Sequence, residues 1–215
     1  MLDASSMSLT PQLILKARRH LSRRDATLKQ VIKNVGPCTL QPTGVSFIIL
    51  VRAIISQLIS TKAAATIYAR LQTACRDGQV TPATILELNE DALRAVGVTR
   101  SKARGLRDLA ERVATGALPL DHLAELSDDE VTARLLPVHS VGRWTTEMFL
   151  IFALGRLDVL PVDDLGFRAG VRDAYGLSEL PARKVLVEMA EPWRPYRTVA
   201  TWYFWRSRGG VPNSK

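Results

Sequence analysis

The stretch that most limits what this chain can become runs from Leu135 to Asp164, LLPVHSVGRWTTEMFLIFALGRLDVLPVDD. Met148, Phe149, Leu150, Ile151, Phe152 and Leu154 put apolar side chains on nearly every face of a helix, so that helix must lie inside a core. It begins near Arg143 and stops at Gly155, a residue type suited to the left-handed turn that follows a helix. Ahead of it, Ser127 and Glu130 have the spacing of a capping box, which opens another helix running through Leu135 and Leu136 and ended by Pro137. His139-Ser140-Val141-Gly142 makes the turn between the two. A turn that ends on glycine and opens a new helix directs several backbone N–H groups outward, an arrangement that suits a phosphate.

The rest of the chain also reads as helix. Residues 1–8 form a loose tail. From Leu9 to about Arg24, Leu13, Ile14, Ala17 and Leu21 repeat at helical spacing, with Lys16, Arg18, Arg19, Arg23 and Arg24 on the remaining surface. Asp25 to Val35 is a short helix closed by Gly36-Pro37. Gly44 to Leu58 is strongly apolar, breaks at Ser60 and resumes as TKAAATIYARLQTAC. Thr81 to Ala114 gives three pieces, with Pro82 at the start of one and Gly97 at the end of the next. Arg94, Arg100, Lys102, Arg104 and Arg107 cluster there, as a phosphate-binding segment or as a solvated helix face. After Asp164 come helices from about Leu165 to Tyr175, Pro181 to Glu191 and Pro195 to Ser207. Strand-like alternation over more than a few residues is absent, so the expected fold is all-α, in two helical subdomains with an active-site cleft between them.

At 215 residues and 47% hydrophobic content the chain can build a proper core. Its 29 basic and 21 acidic residues, a net charge of +8, favour a polyanionic partner such as nucleic acid. No run approaches the ~18 apolar residues of a membrane span, and MLDASSMSL lacks a basic segment followed by an apolar one, so a soluble, cytoplasmic protein is expected. Cys38 and Cys75 are too few for a disulfide framework or a four-cysteine cluster. His20, His122 and His139 are scattered, and one Asp pair adds little, so neither a metal nor another cofactor is expected.

The helix, hairpin, helix and following acid of Ser127–Asp164 resemble the helix-hairpin-helix DNA glycosylase superfamily. The wording VGRWTTEMFLIFALG…LPVDDLGFR looks most like its alkylpurine branch, the 3-methyladenine DNA glycosylase II proteins. The resemblance covers roughly Thr43 to Arg206. It implies that residues 1–215 form a single glycosylase domain with its helix-hairpin-helix at about 127–155, without the N-terminal β domain or the iron–sulfur domain of some relatives. Its partner would be double-stranded DNA containing alkylated bases, met by a monomer. The family usually has glycine at both ends of the hairpin tip, whereas here the first place is Ser140. If that position needs φ > 0, serine costs about 1 kcal/mol; if it does not, the hairpin is a variant.

The resemblance also distributes roles. Ser140, Gly142, Arg143 and Thr145 belong to the DNA-gripping hairpin. Ser56–Ser60 matches the loop that enters the minor groove opposite the target base, with Leu58 as the wedge and Gln57 as its polar neighbour; packing in the core is the alternative for Leu58. Asp164 is the catalytic acid, because its separation from Trp144 fits the alkylpurine branch, and Asp163 is then placed to cap the following helix. A carboxylate there stabilises the positive charge that develops on the sugar as the base leaves, and can direct a water. Trp144 stands where lyase-competent relatives carry the Schiff-base lysine, so the nucleophile is water and the enzyme monofunctional. Trp144 and Trp205 offer aromatic faces to the extruded base, with cation–π attraction for a base made cationic by alkylation, while Trp202, Tyr203 and Phe204 point elsewhere. A noncatalytic DNA-binding module, a metal-dependent nuclease and a glycosylase of different lesion range are the competing readings.

Overall fold

A computed structural model describes residues 9–211; the tail expected for residues 1–8 lies outside them. The helices are α1 (Pro11–Arg24), α2 (Ala26–Val35), α3 (Phe47–Ser56), α4 (Thr61–Ala74), α5 (Pro82–Glu87), α6 (Glu90–Ala95) and α7 (Arg100–Ala114). They continue as α8 (Asp128–Leu135), α9 (Arg143–Phe152), α10 (Leu165–Tyr175), α11 (Arg183–Ala190) and α12 (Arg197–Ser207). No strand occurs among the described residues. The all-α expectation holds.

Local chemistry sets most helix starts. Thr10, Asp25, Ser46, Ser60, Thr81, Asn89, Thr99 and Ser127 each turn a side-chain oxygen onto an N–H of the first turn, satisfying donors that a helix cannot pair internally. The Ser127–Glu130 capping box is complete. At the other end, α9 stops at Phe152 rather than reaching Gly155. Gly155 adopts φ 65°, and the Arg156 N–H closes back on the Leu150 carbonyl at 2.9 Å. The turn begins before the glycine because the chain must wind through that closure.

The chain forms two compact units, residues 9–43 with 150–211, and residues 44–149. In the first, α2, α10 and α12 pack together and α1 lies on α2 and α12. Helix α12 is buried from Thr198 through Trp205, with aromatic residues throughout. Phe167, Trp193 and Phe204 meet at centroid distances of 5.3–6.4 Å. Helices α10 and α12 approach so closely that a Cβ on Gly170 would lie 2.5 Å from the Phe204 carbonyl oxygen, so only glycine fits. In the second unit, α7 packs against α3, α5 and α6, and α3 against α4. Leu50, Val51, Ala53 and Ile54 of α3 and Leu106 and Leu109 of α7 are fully buried there.

Candidate functional site

The hairpin between α8 and α9 is held from below by α7. Ser140 adopts φ 62°, so the positive-φ condition is met and serine bears about 1 kcal/mol of backbone strain. Its hydroxyl offsets part of that by donating to the Ser101 carbonyl at 2.9 Å and lying 2.8 Å from the Ser101 hydroxyl. One residue earlier, the His139 N–H donates to Asp108 Oδ2 at 2.6 Å. A Cβ on Gly105 of α7 would sit 2.6 Å from the His139 carbonyl oxygen. Helix α7 can seat the hairpin only because residue 105 has no side chain.

Gly142 behaves differently from its neighbour. Its φ is not in the left-handed region, and a Cβ there would meet nothing within 4 Å. Glycine at 142 therefore serves open space rather than backbone conformation. Arg143 is exposed and pairs with Glu147 at 2.9 Å. Thr145, expected among the DNA-contacting residues, is buried, and its hydroxyl accepts a 2.9 Å bond from Gln57 Nε2. The same Gln57 amide donates to the Ser140 carbonyl at 2.7 Å. Gln57, half-buried beside Leu58, thus braces the hairpin.

The loop between α3 and α4 carries Leu58, which is 96% exposed at φ 57°. The core-packing alternative fails. A bulky non-glycine residue in this region is strained, by an amount on the order of 1–3 kcal/mol, and such strain persists only where the surroundings enforce it. Lys102 supplies that enforcement. Lys102 is 9% exposed, and its ammonium donates to the carbonyls of Ile55 and Gln57, both at 2.8 Å, tying down the last turn of α3. Burial holds its amine below the ordinary lysine range.

Lys102 therefore leaves the group of candidate phosphate ligands around Gly97-Val98-Thr99. Arg107 leaves it too, since its guanidinium donates to the carbonyls of Leu86 in the last turn of α5 and of Leu88, its C-cap. Arg100 and Arg104 pair with Glu90. The cluster mostly fastens helices of its own unit.

In the other unit, Asp164 is the N-cap of α10 and only 6% exposed. Its Oδ1 accepts from the Phe167 N–H at 2.6 Å and from Trp205 Nε1 at 2.7 Å. Both bonds fall on one oxygen, which fixes the rotation of the carboxylate. Asp163, expected as the cap, instead pairs with Arg183 of α11, and Asp164 itself caps α10. Trp205 is 2% exposed and stacks on Phe152 at 5.7 Å and 19°. A base platform needs an accessible face, and this indole, donating to Asp164 and stacked on Phe152, has none open. Trp202, Tyr203 and Phe204 do point elsewhere, Tyr203 donating to the Gly36 carbonyl and Trp202 lying edge-on to Tyr203. Trp144, in the first turn of α9, is half-buried.

Sequence reasoning misses most of this bracing. Gln57 and Ser140 lie 83 positions apart, and Asp164 and Trp205 lie 41 apart. The mixed polarity of the α3–α4 junction, an amide and a leucine between two serines, is the one local signal.

A capped α8, a strained hairpin, an apolar α9 and an acid heading the next helix define a helix-hairpin-helix protein of the base-excision type. The chain belongs to the HhH-GPD superfamily of base excision DNA repair proteins, whose pattern matches residues 51–195. It is 36% identical over 199 residues to DNA-3-methyladenine glycosylase 1 of Schizosaccharomyces pombe, covering 90% of this chain and 87% of that protein. It is 34% identical over 196 residues to an alkylbase DNA glycosidase-like protein of the same yeast, covering 89% and 92%. The structure of the S. pombe 3-methyladenine DNA glycosylase in complex with abasic DNA superposes with a TM-score of 0.85 at 35% identity, over 93% of this chain and all of that one.

Proposed function

We propose that this chain is a monofunctional DNA glycosylase that flips alkylated purines of the 3-methyladenine type out of duplex DNA and hydrolyses their N-glycosidic bonds, acting as a cytoplasmic monomer. The observation that carries this reading is the Asp164 carboxylate, buried and held by two donors at the head of α10. As the base departs, positive charge develops on the sugar, and a fixed carboxylate stabilises that charge without having to reorient. The C–N bond breaks with its electron pair leaving on the base, whose cationic ring it neutralises, and water directed by the carboxylate bonds to the sugar carbon and gives its proton to Asp164. An alkylated purine is already cationic, so it departs readily and selectivity does not require a tight pocket.

The unit 44–149 supplies the hold on DNA. Helix α9 opens directly after Gly142, and the open space there gives a phosphate room to reach the helix N-terminus. Leu58, extended from a braced loop, fills the hole left by the flipped nucleotide. Trp144 provides the aromatic face for the base, with attraction on the order of 1–2 kcal/mol for a cationic ring when desolvated. No lysine occupies its position, so no Schiff base forms there.

The test is incubation of N-alkylated duplex DNA with the protein, followed by chromatography of the freed bases, with and without chelator. Free 3-methyladenine, released equally in both arms and leaving strands that break only after alkali, is expected. Covalent trapping of the protein on DNA by borohydride would overturn the monofunctional mechanism, and activity abolished by the chelator would point to a metal-dependent reaction.

A further inference from the structure

The chain's positive charge is concentrated away from the hairpin in sequence. Residues 9–35 hold seven Lys and Arg against a single acid, Asp25, which makes six of the eight net positive charges of the whole chain. Asp25 is committed elsewhere: it caps α2 and accepts from the Tyr175 hydroxyl and the Trp193 indole. Lys16, Arg19, Arg23, Arg24, Lys29 and Lys33 are all exposed. Among the described residues, none of these six makes an ion pair or a side-chain hydrogen bond.

Several other exposed arginines are paired. Arg76, Arg100, Arg143 and Arg183 each pair with a carboxylate. On α1, Lys16, Arg19 and Arg23 recur at i, i+3 and i+7, so they form one stripe of like charge roughly 10 Å long, at the α-helical rise of 1.5 Å per residue. Like charges at this spacing weaken a helix. Arg23, Arg24 and Lys33 sit in last turns, where the helix dipole favours a cation. Lys16 and Arg19 have no such compensation. Beside the stripe runs a groove of about 500 Å³ lined by Leu15, Arg18, Arg19, Ser22, Arg23 and Ile32, so the charges border a concave surface.

We infer that the α1–α2 face is a second nucleic-acid contact, taking the phosphate backbone of duplex DNA independently of the hairpin. It has the charge density to meet successive phosphates, and the carboxylates that border it are engaged, Asp25 by Tyr175 and Trp193 and Asp173 by Arg172 and Arg208. Aromatic side chains are absent from the stripe, so it reads neither bases nor lesions and binds damaged and undamaged duplex alike. The choice of duplex DNA as the polyanion rests on the proposed function; the surface itself does not.

The test compares the wild type with the triple variant Lys16→Gln/Arg19→Gln/Arg23→Gln and with the charge-keeping Arg19→Lys/Arg23→Lys, on an undamaged duplex across a salt series. The slope of log affinity against log salt should fall in magnitude by about 0.9 for each phosphate that is no longer neutralised, hence by roughly two to three in the triple variant, while the charge-keeping variant retains it. Thermal melting of the triple variant should match or exceed that of the wild type, since like-charge repulsion is removed. An unchanged slope in a folded triple variant overturns the inference. So does an unchanged DNA slope accompanied by failure to bind phosphatidylserine vesicles that the wild type binds, which would assign the face to a membrane surface. Because undamaged DNA is used, a wild type that frees no base leaves this result readable and fails only the glycosylase reading.

Discussion

The two units solve the problem of holding a group in place by opposite means. In residues 44–149 two loop residues are strained: exposed Leu58 and half-buried Ser140 both adopt left-handed backbone, and the side chains of half-buried Gln57 and buried Lys102 hold them there through main-chain carbonyls. In residues 9–43 with 150–211 the working part is a carboxylate withdrawn from solvent, fixed by a helix N-terminus and an indole within an aromatic shell. On the proposed function, a surface that inserts into DNA needs shape, which backbone strain provides, and a group that meets a developing charge needs fixed orientation, which donor bonds provide. Damage to the first unit should therefore act on binding and flipping, and damage to the second on the chemical step.

The largest effect is expected at Asp164. Asp164→Asn should reduce single-turnover excision on the order of a thousandfold or more, with DNA affinity within a few fold, because the carboxylate acts on the transition state. Asp163→Asn should be mild, since it removes only a partly exposed ion pair with Arg183. The reverse order in excision assays would make Asp163 the catalytic acid. Next comes Trp205→Phe, which keeps the ring on Phe152 but removes one of two donors to Oδ1. A hydrogen bond to a charged group contributes about 1.5–3 kcal/mol, so the single-turnover rate should fall roughly 10- to 100-fold with substrate affinity unchanged. If affinity falls instead, Trp205 contacts the base and the comparison between the units weakens.

Leu58→Ala should slow excision several-fold from stable base pairs and less from mismatches, which cost less to open. Because the side chain is exposed, the melting temperature should hold; a drop would return Leu58 to a structural role. The smallest expected effect separates strain from bonding at Ser140. Ser140→Ala loses the Ser101 bonds and keeps the strained backbone, whereas Ser140→Gly loses the bonds and relieves the strain. Denaturant unfolding should find the alanine variant less stable than the glycine variant by about 1 kcal/mol. Equal stabilities would mean that the hairpin bears no strain.

Much of the fold is readable from the sequence because its determinants are local. Apolar spacing and capping residues locate the helices, and the Ser127–Glu130 box forms as its spacing implies. The end of α9 falls earlier than the sequence suggests, because glycine marks a turn without marking where the winding before it begins. The site divides in the same way. The hairpin and the acid pair can be found as motifs, but which acid caps α10 depends on Arg183, and what Gln57, Thr145 and Trp205 touch depends on residues far along the chain. Leu58 shows the converse: leucine is buried by default, and only the bracing of its loop makes it 96% exposed.

The division of labour is tested most directly by measuring, on one lesion-bearing duplex, both the dissociation constant and the excision rate at saturating enzyme for Gln57→Ala and Asp164→Asn. Losing the Gln57 amide leaves the Ser140 carbonyl and Thr145 hydroxyl without that donor, a loss of about 1–3 kcal/mol. Gln57→Ala should bind more weakly yet recover most of its excision rate when saturated, while Asp164→Asn should bind normally and stay inactive at any concentration. If saturation fails to restore Gln57→Ala, or if Asp164→Asn excises at a near-normal rate once bound, grip and chemistry are not separated as described.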